Sequence, residues 1–467
     1  MAKKILSVNA GSSSVKATFY TLENPPAVIA EAQVSGITAP PPVFKYKGGS
    51  KKNIKEELKE QINSPQDAFK YILHRCFNDP ELSGVASKDD LAYICHRVVH
   101  GGDYGASVEI NDETIHHLEE LEDLAPLHNS SALGIIKLCQ KELPGVTSIT
   151  CFDTAFHNTL PDHVKTYAIN QDIAKANGLR KYGFHGISYS FILRSVAQFL
   201  GKPAEKTNVI AMHLGSGASI CAIKEGKSID TSMGLTPVTG LPGATRSGDI
   251  DPSLVFHYTS DAGKLSPAST KDMHISTAEE ILNKKSGWKS LTGTTDFGEI
   301  AVDNAPPSHK LAFDILVDRV LGYIGNYFLK LDGRVDALVF AGGIGEKSAL
   351  LRQALCARCE SLGVSINAEE NDKGPDNETV KDISQGSGKG PRVLICQTDE
   401  QVRFFPDRWW WFFANWRFLP LSSRWHTIVF ARGHTEASRR GDLGNKIVGF
   451  LEATNADVTG GYVDTWA

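Results

Sequence analysis

Two stretches about two hundred residues apart share one local plan, and that repetition constrains the fold more than any other feature of the chain. Residues 3–20 (KKILSVNAGSSSVKATFY) pass from an apolar run through a turn of small residues into a second β-prone run, the pattern of a hairpin. Residues 208–223 (NVIAMHLGSGASICAI) repeat it. Such self-similarity predicts two related halves facing each other rather than a short-period solenoid. A third strand-and-glycine unit, 335–348 (VDALVFAGGIGEKS), opens on an apolar run without alternation, which predicts a strand buried on both faces. Between these units, residues 54–62, 266–284 and 310–331 carry helical spacing. Strands alternating with helices predict an α/β protein.

The connecting stretches read differently. Residues 38–53 (TAPPPVFKYKGGSKKN) are rich in Pro, Gly and Lys and predict a surface loop; 371–391 predict a mobile, polar connection. Of the seven tryptophans, Trp288 alone lies outside 402–467, a stretch whose periodicity fits neither a strand nor an amphipathic helix.

A net charge of −5, without a basic stripe or interleaved basic and aromatic run, argues against nucleic acid as a partner. The chain enters its first strand too soon for a signal peptide, and no apolar run is long enough for a membrane helix. The eight cysteines are mostly scattered singly in apolar contexts, as buried thiols are, so a reducing, cytoplasmic location is expected. Cys356 and Cys359 form a lone Cys-x-x-Cys without a second pair and read as neighbours on a helix face.

The two serine-glycine turns are the first candidates for chemistry. Small residues let backbone N–H groups approach phosphate oxygens, and hydroxyls add donors. One such turn is ordinary; two at matching places in duplicated units point to phosphate. Lys16, on the outgoing strand, could reach a phosphate or be solvated. Arg97 lies in CHRVVHGG (95–102) and is either a structural ion pair or an anion clamp. Arg246 lies in GLPGATRSGDIDP (240–252), too rich in turn residues to be packing; a guanidinium fork suits phosphoryl and carboxylate oxygens alike. Asp153 ends an apolar run, where a carboxylate serves a metal, a base or a buried pair. His185, in YGFHG (182–186), is a core residue or faces a close backbone or ligand approach.

Taken in order, these segments resemble the acetate kinase family of the acetate and sugar kinase, Hsp70 and actin superfamily. The matching pieces are VNAGSSSVK (8–16), HRVVHGG (96–102), APLHN (125–129), FDTAFH (152–157), KYGFHG (181–186), HLGSGAS (213–219), DTSMGLTP (230–237), TRSGDIDP (245–252), ALVFAGGIGEKS (337–348) and QTDEQ (397–401). The resemblance implies a duplicated ribonuclease-H-like (actin-like ATPase) α/β core with two domains around a cleft. One would be residues 1–155, rejoined near 397–401, and the other 156–396. A homodimer and an acetate-phosphorylating enzyme using ATP and Mg²⁺ are also implied, the carboxylate attacking the γ-phosphorus in line. Arg97 and Arg246 would grip the phosphoryl group and the acid's oxygens, and His185 would donate to the equatorial oxygens. Asp153 is the family's essential carboxylate; since acetate is already ionised at neutral pH, positioning suits it better than base catalysis.

The resemblance also assigns binding residues. Asn9 and Glu400 would hold or orient Mg²⁺. Ser12, Ser14, Lys16 and the turn His213-Leu214-Gly215-Ser216-Gly217 would cradle phosphates. Gly343-Ile344-Gly345-Glu346-Lys347 and Asp296-Phe297-Gly298 would line the adenosine pocket. Val99, Leu127, Phe184 and Pro237 match the pocket for the acetate methyl, with His128 beside it.

This sequence departs from the family pattern in several places. Ser216 and Lys347 stand where asparagine is usual, and Gly298 where bacterial members carry arginine. Ile187 and Tyr189 replace threonine and histidine, and Asp399 and Gln401 bracket Glu400 where Asn and Glu are usual. With the core charges kept, these differences imply a eukaryotic, fungal-type branch. The family normally ends soon after Glu400 with an amphipathic helix, whereas Pro406 and the tryptophan cluster here imply a misread frame or a lineage-specific extension. Alternatives on the same fold are a propionate or butyrate kinase, a pyrophosphate-dependent acetate kinase, and a nucleotide-binding member without transfer chemistry; the last predicts loss of the arginines and histidine that this chain keeps.

Overall fold

The two hairpins found in the sequence form the centres of two sheets. The computed structural model describes residues 3–398 apart from 24–25, 49–51, 80–84, 122–125, 259–262, 268, 270–275, 377 and 387–389. The side chains of Leu127 and His128, Glu400 and the tryptophan-rich stretch lie outside the described residues.

The first sheet contains β1 (Lys4–Ala10), β2 (Ser14–Thr21), β3 (Val28–Ser35), β4 (Val43–Gly48), β5 (Lys52–Glu57), β6 (Leu91–Val98), β7 (Val108–Glu109) and β8 (Thr147–Phe152). Their order is β5-β4-β3-β2-β1-β6-β8-β7. The second contains β9 (Val209–Leu214), β10 (Ala218–Lys224), β11 (Lys227–Thr231), β12 (Ala337–Ala341), β13 (Val380–Asp382) and β14 (Arg392–Cys396), ordered β11-β10-β9-β12-β14-β13. The duplication is now explicit. In each sheet an antiparallel three-strand meander (β1–β3, β9–β11) is extended by two strands parallel to its first (β6 and β8, β12 and β14). The unit at 335–348 therefore answers to β6 of the first half: both strands run parallel to the hairpin's first strand and end at a Gly-Gly pair, 101–102 and 342–343.

Packing follows the sequence. All positions of β9 and β12 are buried, as expected of parallel strands covered on both faces. On one face of the second sheet, helix Pro307–Lys330 places Leu316, Val320, Ile324 and Tyr327 in a core with Met212, Ile220 and Phe340. On the other face, helix Gly186–Phe199 packs Tyr189, Ile192 and Val196 with Ala211, Cys221 and Val339. Helix Pro65–Phe77 packs on the first sheet, Phe69 and Ile72 joining Leu6, Val8 and Phe19. All eight cysteines are buried thiols, Cys356 on a helix and Cys359 just past its end. No described helix is long and apolar enough to cross a membrane.

Four expectations need correction. Residues 54–62 are not helical: 52–57 form β5, paired with β4 so that Ile54 faces Tyr46 and Lys55 faces Lys45. Its charge is that of a sheet edge, where lysine discourages pairing with another chain. Residues 38–53 are not a loop throughout, because β4 alternates, with Phe44 and Tyr46 buried and Lys45 and Lys47 exposed. Within 266–284 the helix covers Thr277–Lys284, started by Ser276, whose side chain accepts from the Glu279 N–H. Residues 371–391 contribute the end of helix Ala368–Lys373 and β13, which pairs antiparallel with β14.

Candidate active site

Topology delivers the charged residues to one place. Strands β1, β6 and β8 lie side by side and parallel, so Asn9, Arg97 with Val99, and Asp153 converge at their carboxyl ends. In the second sheet β9 and β12 deliver the 215–217 turn and Gly343-Ile344 in the same way. Together they line a cleft of about 1200 Å³.

At one end sits an arginine–carboxylate pair. The Arg97 Nη2 donates to Asp153 Oδ2 at 2.6 Å and its Nε donates to Oδ1 at 3.2 Å, so both carboxylate oxygens are engaged. Arg97 Nη1 also donates to Asn9 Oδ1 at 3.4 Å. Asp153 is only 2% exposed, and its carbonyl accepts from the Gly186 N–H at 2.8 Å. That contact requires glycine: a Cβ at 186 would lie 2.2 Å from the Asp153 carbonyl oxygen. The histidine before it, His185, holds φ of 59°, a left-handed conformation uncommon for a side-chain-bearing residue and concentrated at functional sites.

His185 is oriented by a buried network. Its Nδ1 is 2.8 Å from Ser219 Oγ, which also bonds the Tyr189 hydroxyl. Its ring lies against that of His213, centroids 4.3 Å apart, and His213 Nδ1 is 2.9 Å from Ser188 Oγ. The first turn of helix Gly186–Phe199 thus supplies the hydroxyls of Ser188 and Tyr189 to hold both imidazoles.

Arg246 approaches from the second sheet. Its loop is tied to the second serine-glycine turn by the Ala244 N–H donating to the Ser216 carbonyl at 2.8 Å, and to helix Thr277–Lys284 by Thr245 Oγ1 donating to the Asn283 carbonyl at 2.7 Å. The guanidinium lies so close to the turn that a Cβ at Gly217 would be 1.9 Å from Nη2. Burial, and then the like charge of Arg97, push the Arg246 pKa down to about 10, so it stays charged at neutral pH. Four cationic side chains on this wall (Arg97, Arg246, Lys284 and Lys347) against two carboxylates (Asp153, paired with Arg97, and Asp296) leave net positive potential for an anion.

Most of the site residues expected from sequence line this cleft: Asn9, Ser12, Arg97, Val99, Asp153, Phe184, His185, His213, Gly215, Ser216, Gly217, Pro237, Arg246, Asp296, Phe297, Gly298, Gly343, Ile344 and Lys347. Others lie off its wall. Ser14 starts β2, and Ser13 lines the cleft instead. Lys16 pairs across β1–β2 with Asn9, on the same face but not on the wall. Leu214 and Gly345 are buried behind it. Glu346 turns aside: its Oε1 accepts from the Thr398 N–H at 2.9 Å and from the Thr398 hydroxyl at 2.6 Å. Phe297 is packed between Trp288 and Phe313, a floor for the cleft rather than an open stacking face.

Sequence reading missed Ser13, Ile187, Ser188, Asn283, Lys284, Thr295, Ser348, Ala349 and Leu350 on the wall. Ser188 had a readable signal, one helical turn after His185. Asn283 and Lys284 had none, because they arrive through the tie between their helix and the Arg246 loop.

A sequence model described as the acetokinase family matches residues 4–404. The chain belongs to the acetokinase family. The match stops before the tryptophan cluster. Among relatives, a probable acetate kinase of Emericella nidulans is 70% identical over 402 residues, 85% of this chain and 96% of that one. The solved structure of Porphyromonas gingivalis acetate kinase is 34% identical with a TM-score of 0.74, covering 86% of this chain and 98% of that one. A propionate kinase structure from Francisella tularensis is 33% identical with a TM-score of 0.75, covering the same shares.

The cleft also rests on histidines that stay neutral. Burial lowers the pKa of His96 to about 3 and those of His100 and His157 to about 4. His157 is therefore a neutral imidazole whose Nε2 donates to the Phe184 carbonyl at 2.9 Å. Unfolded, each would protonate near 6.5, so the unfolded state takes up more protons below that pH. Their contribution to stability is complete above pH 6.5 and is lost as pH falls toward 4. Melting temperature is expected to fall steeply across that window, and replacing His157 by glutamine to flatten the fall measurably.

Proposed function

We propose that this protein transfers the γ-phosphoryl group of ATP reversibly to acetate, giving acetyl phosphate and ADP. The observation that carries this reading is the pairing of two cleft arginines with a carboxylate wholly engaged by one of them. Both oxygens of Asp153 accept from Arg97, so Asp153 holds a guanidinium in place rather than serving as base or nucleophile. Among the described residues, no cysteine lines the cleft. In this reading the acid's own carboxylate, ionised at neutral pH, is the nucleophile, and catalysis consists of positioning and charge stabilisation.

The residues divide the work by place. Arg97 and Arg246 hold the acid's oxygens and the phosphoryl group, and His185 donates to the equatorial oxygens. Val99, Phe184 and Pro237 form the apolar end for the methyl group. The wall continues to Gly343, Ile344, Lys347, Asp296 and Gly298, and a cleft of about 1200 Å³ holds more than two phosphates would fill, which favours a nucleotide over pyrophosphate. Lys347 and Lys284 supply cations on this wall, where Gly298 supplies none.

Mg²⁺ suits the donor set. Asn9 presents a hard amide oxygen at the cleft. An ion held largely by substrate phosphates needs few protein ligands. Asn9, with Glu400, would hold it, and it would supply neutralisation of phosphate charge when bound. We read residues 1–155 and 156–396 as the two domains because each sheet supplies one wall, and the protein as a cytoplasmic homodimer acting on small molecules.

The test is trapping of acyl phosphate by hydroxylamine, with ATP or pyrophosphate as donor and acetate or propionate as acceptor. Hydroxamate is expected with ATP and acetate; none with ATP and any acid would overturn the reading.

A further inference from the structure

Phe184 belongs both to the cleft wall and to a small buried cluster, part of which lies off that wall. The cluster consists of Tyr182, Phe184 and Met233, with Val99 and Leu235 packed against it. Val99 and Phe184 line the cleft, whereas Met233, 1% exposed, does not.

We propose that Met233, from behind Phe184, sets the length of acyl chain the cleft accepts. The inference rests on the carboxylate-acceptor reading above. Among the described residues, other groups around Phe184 are held in place. The imidazole of His100 meets the rings of Tyr182 and Phe184 edge-on, centroids 4.4 and 5.5 Å away. That imidazole is held by the Gly102 N–H donating to its Nδ1 at 3.1 Å. The Phe184 backbone is pinned by His157 through its carbonyl. The segment carrying Met233 cannot retreat either. The Tyr182 and Gly183 N–H groups donate to the Gly234 carbonyl at 3.0 and 3.2 Å, and the Leu235 N–H donates to the Tyr167 hydroxyl at 2.9 Å.

With both backbones clamped together, the space behind the Phe184 ring is set by the side chain at 233. Methionine is long and adaptable and fills it. Shortening it opens a cavity into which Phe184 can recede, and the room gained appears at the apolar end of the cleft. A hydrophobic pocket discriminates about 10- to 200-fold per methylene, so space for one methylene is enough to change the preferred acid.

The experiment compares kcat/KM for acetate, propionate and butyrate, with ATP as donor, in the unmodified protein, Met233→Ala, Met233→Val and Met233→Leu. The propionate-to-acetate ratio is expected to rise about tenfold in Met233→Ala, less in Met233→Val, and to stay within twofold in the volume-conserving Met233→Leu. A purely structural role would lower kcat/KM for all three acids alike. An unchanged ratio in an active, folded Met233→Ala would overturn the inference, and if that variant fails to fold, Met233→Val decides. Absence of acyl phosphate from the unmodified protein with every acid would instead overturn the functional reading, and this inference with it.

Discussion

Arg246→Ala is expected to lower turnover by about a thousandfold or more while leaving the melting temperature unchanged or slightly raised. Arg246 sits where burial and the positive charge of Arg97 both disfavour its ionised form. Such a charge weakens the fold. Its removal relieves repulsion at the cleft without opening a core, since the loop's backbone ties to Ser216 and Asn283 remain. A guanidinium held at that expense is useful only when negative charge develops beside it. Steady-state kinetics and a thermal melt on the same preparation check both parts. A variant with near-normal turnover, or one whose lost activity tracks a large drop in melting temperature, would remove Arg246 from the mechanism.

The opposite pattern is expected at Arg352. This side chain is fully buried and bonds the Asn371 Oδ1 at 2.7 Å, the Asn371 carbonyl at 2.7 Å, and the Gly345 and Glu346 carbonyls at 2.8 Å. It clasps helix Gly342–Lys347, the turn expected to hold adenosine, to helix Ala368–Lys373. Arg352→Met keeps the apolar stem but leaves these acceptors buried without donors, each worth about 1–3 kcal/mol, so a loss of about 3 kcal/mol or more is expected from urea unfolding. The surviving protein should show a raised KM for ATP and a nearly unchanged KM for acetate. Unaltered stability would show that the clasp is dispensable.

How far the sequence could be read depended on where side chains point. Both hairpins and β12 were legible because their apolar runs have no competing interpretation. Strands β4 and β5 were not: β4 lies in a lysine-, glycine- and proline-rich stretch with the signature of a loop, the charged residues of β5 are spaced as in a helix, and only pairing with β3 shows that Phe44 and Tyr46 alternate into a core. At the site, Arg97, Asp153, His185 and Arg246 stand out in the sequence as charged residues in apolar or glycine-rich settings, and all four line the cleft; the sequence left open whether each is a structural or a ligand-binding group. Choosing among neighbours in a turn was harder. Ser13 rather than Ser14 reaches the wall because Ser14 already belongs to β2. Glu346 lies in a glycine turn, yet its carboxylate serves Thr398 from a distant strand end. Contacts of that range leave no local trace.

The central claim is that the acid attacks the γ-phosphorus directly, without a phosphorylated protein between. ATP made chiral at that phosphorus by oxygen isotopes, with the configuration read in the acyl phosphate formed, tests it most directly. One in-line displacement inverts the configuration, and inversion is the predicted result; retention would require two displacements and a phosphoenzyme, and would contradict the account.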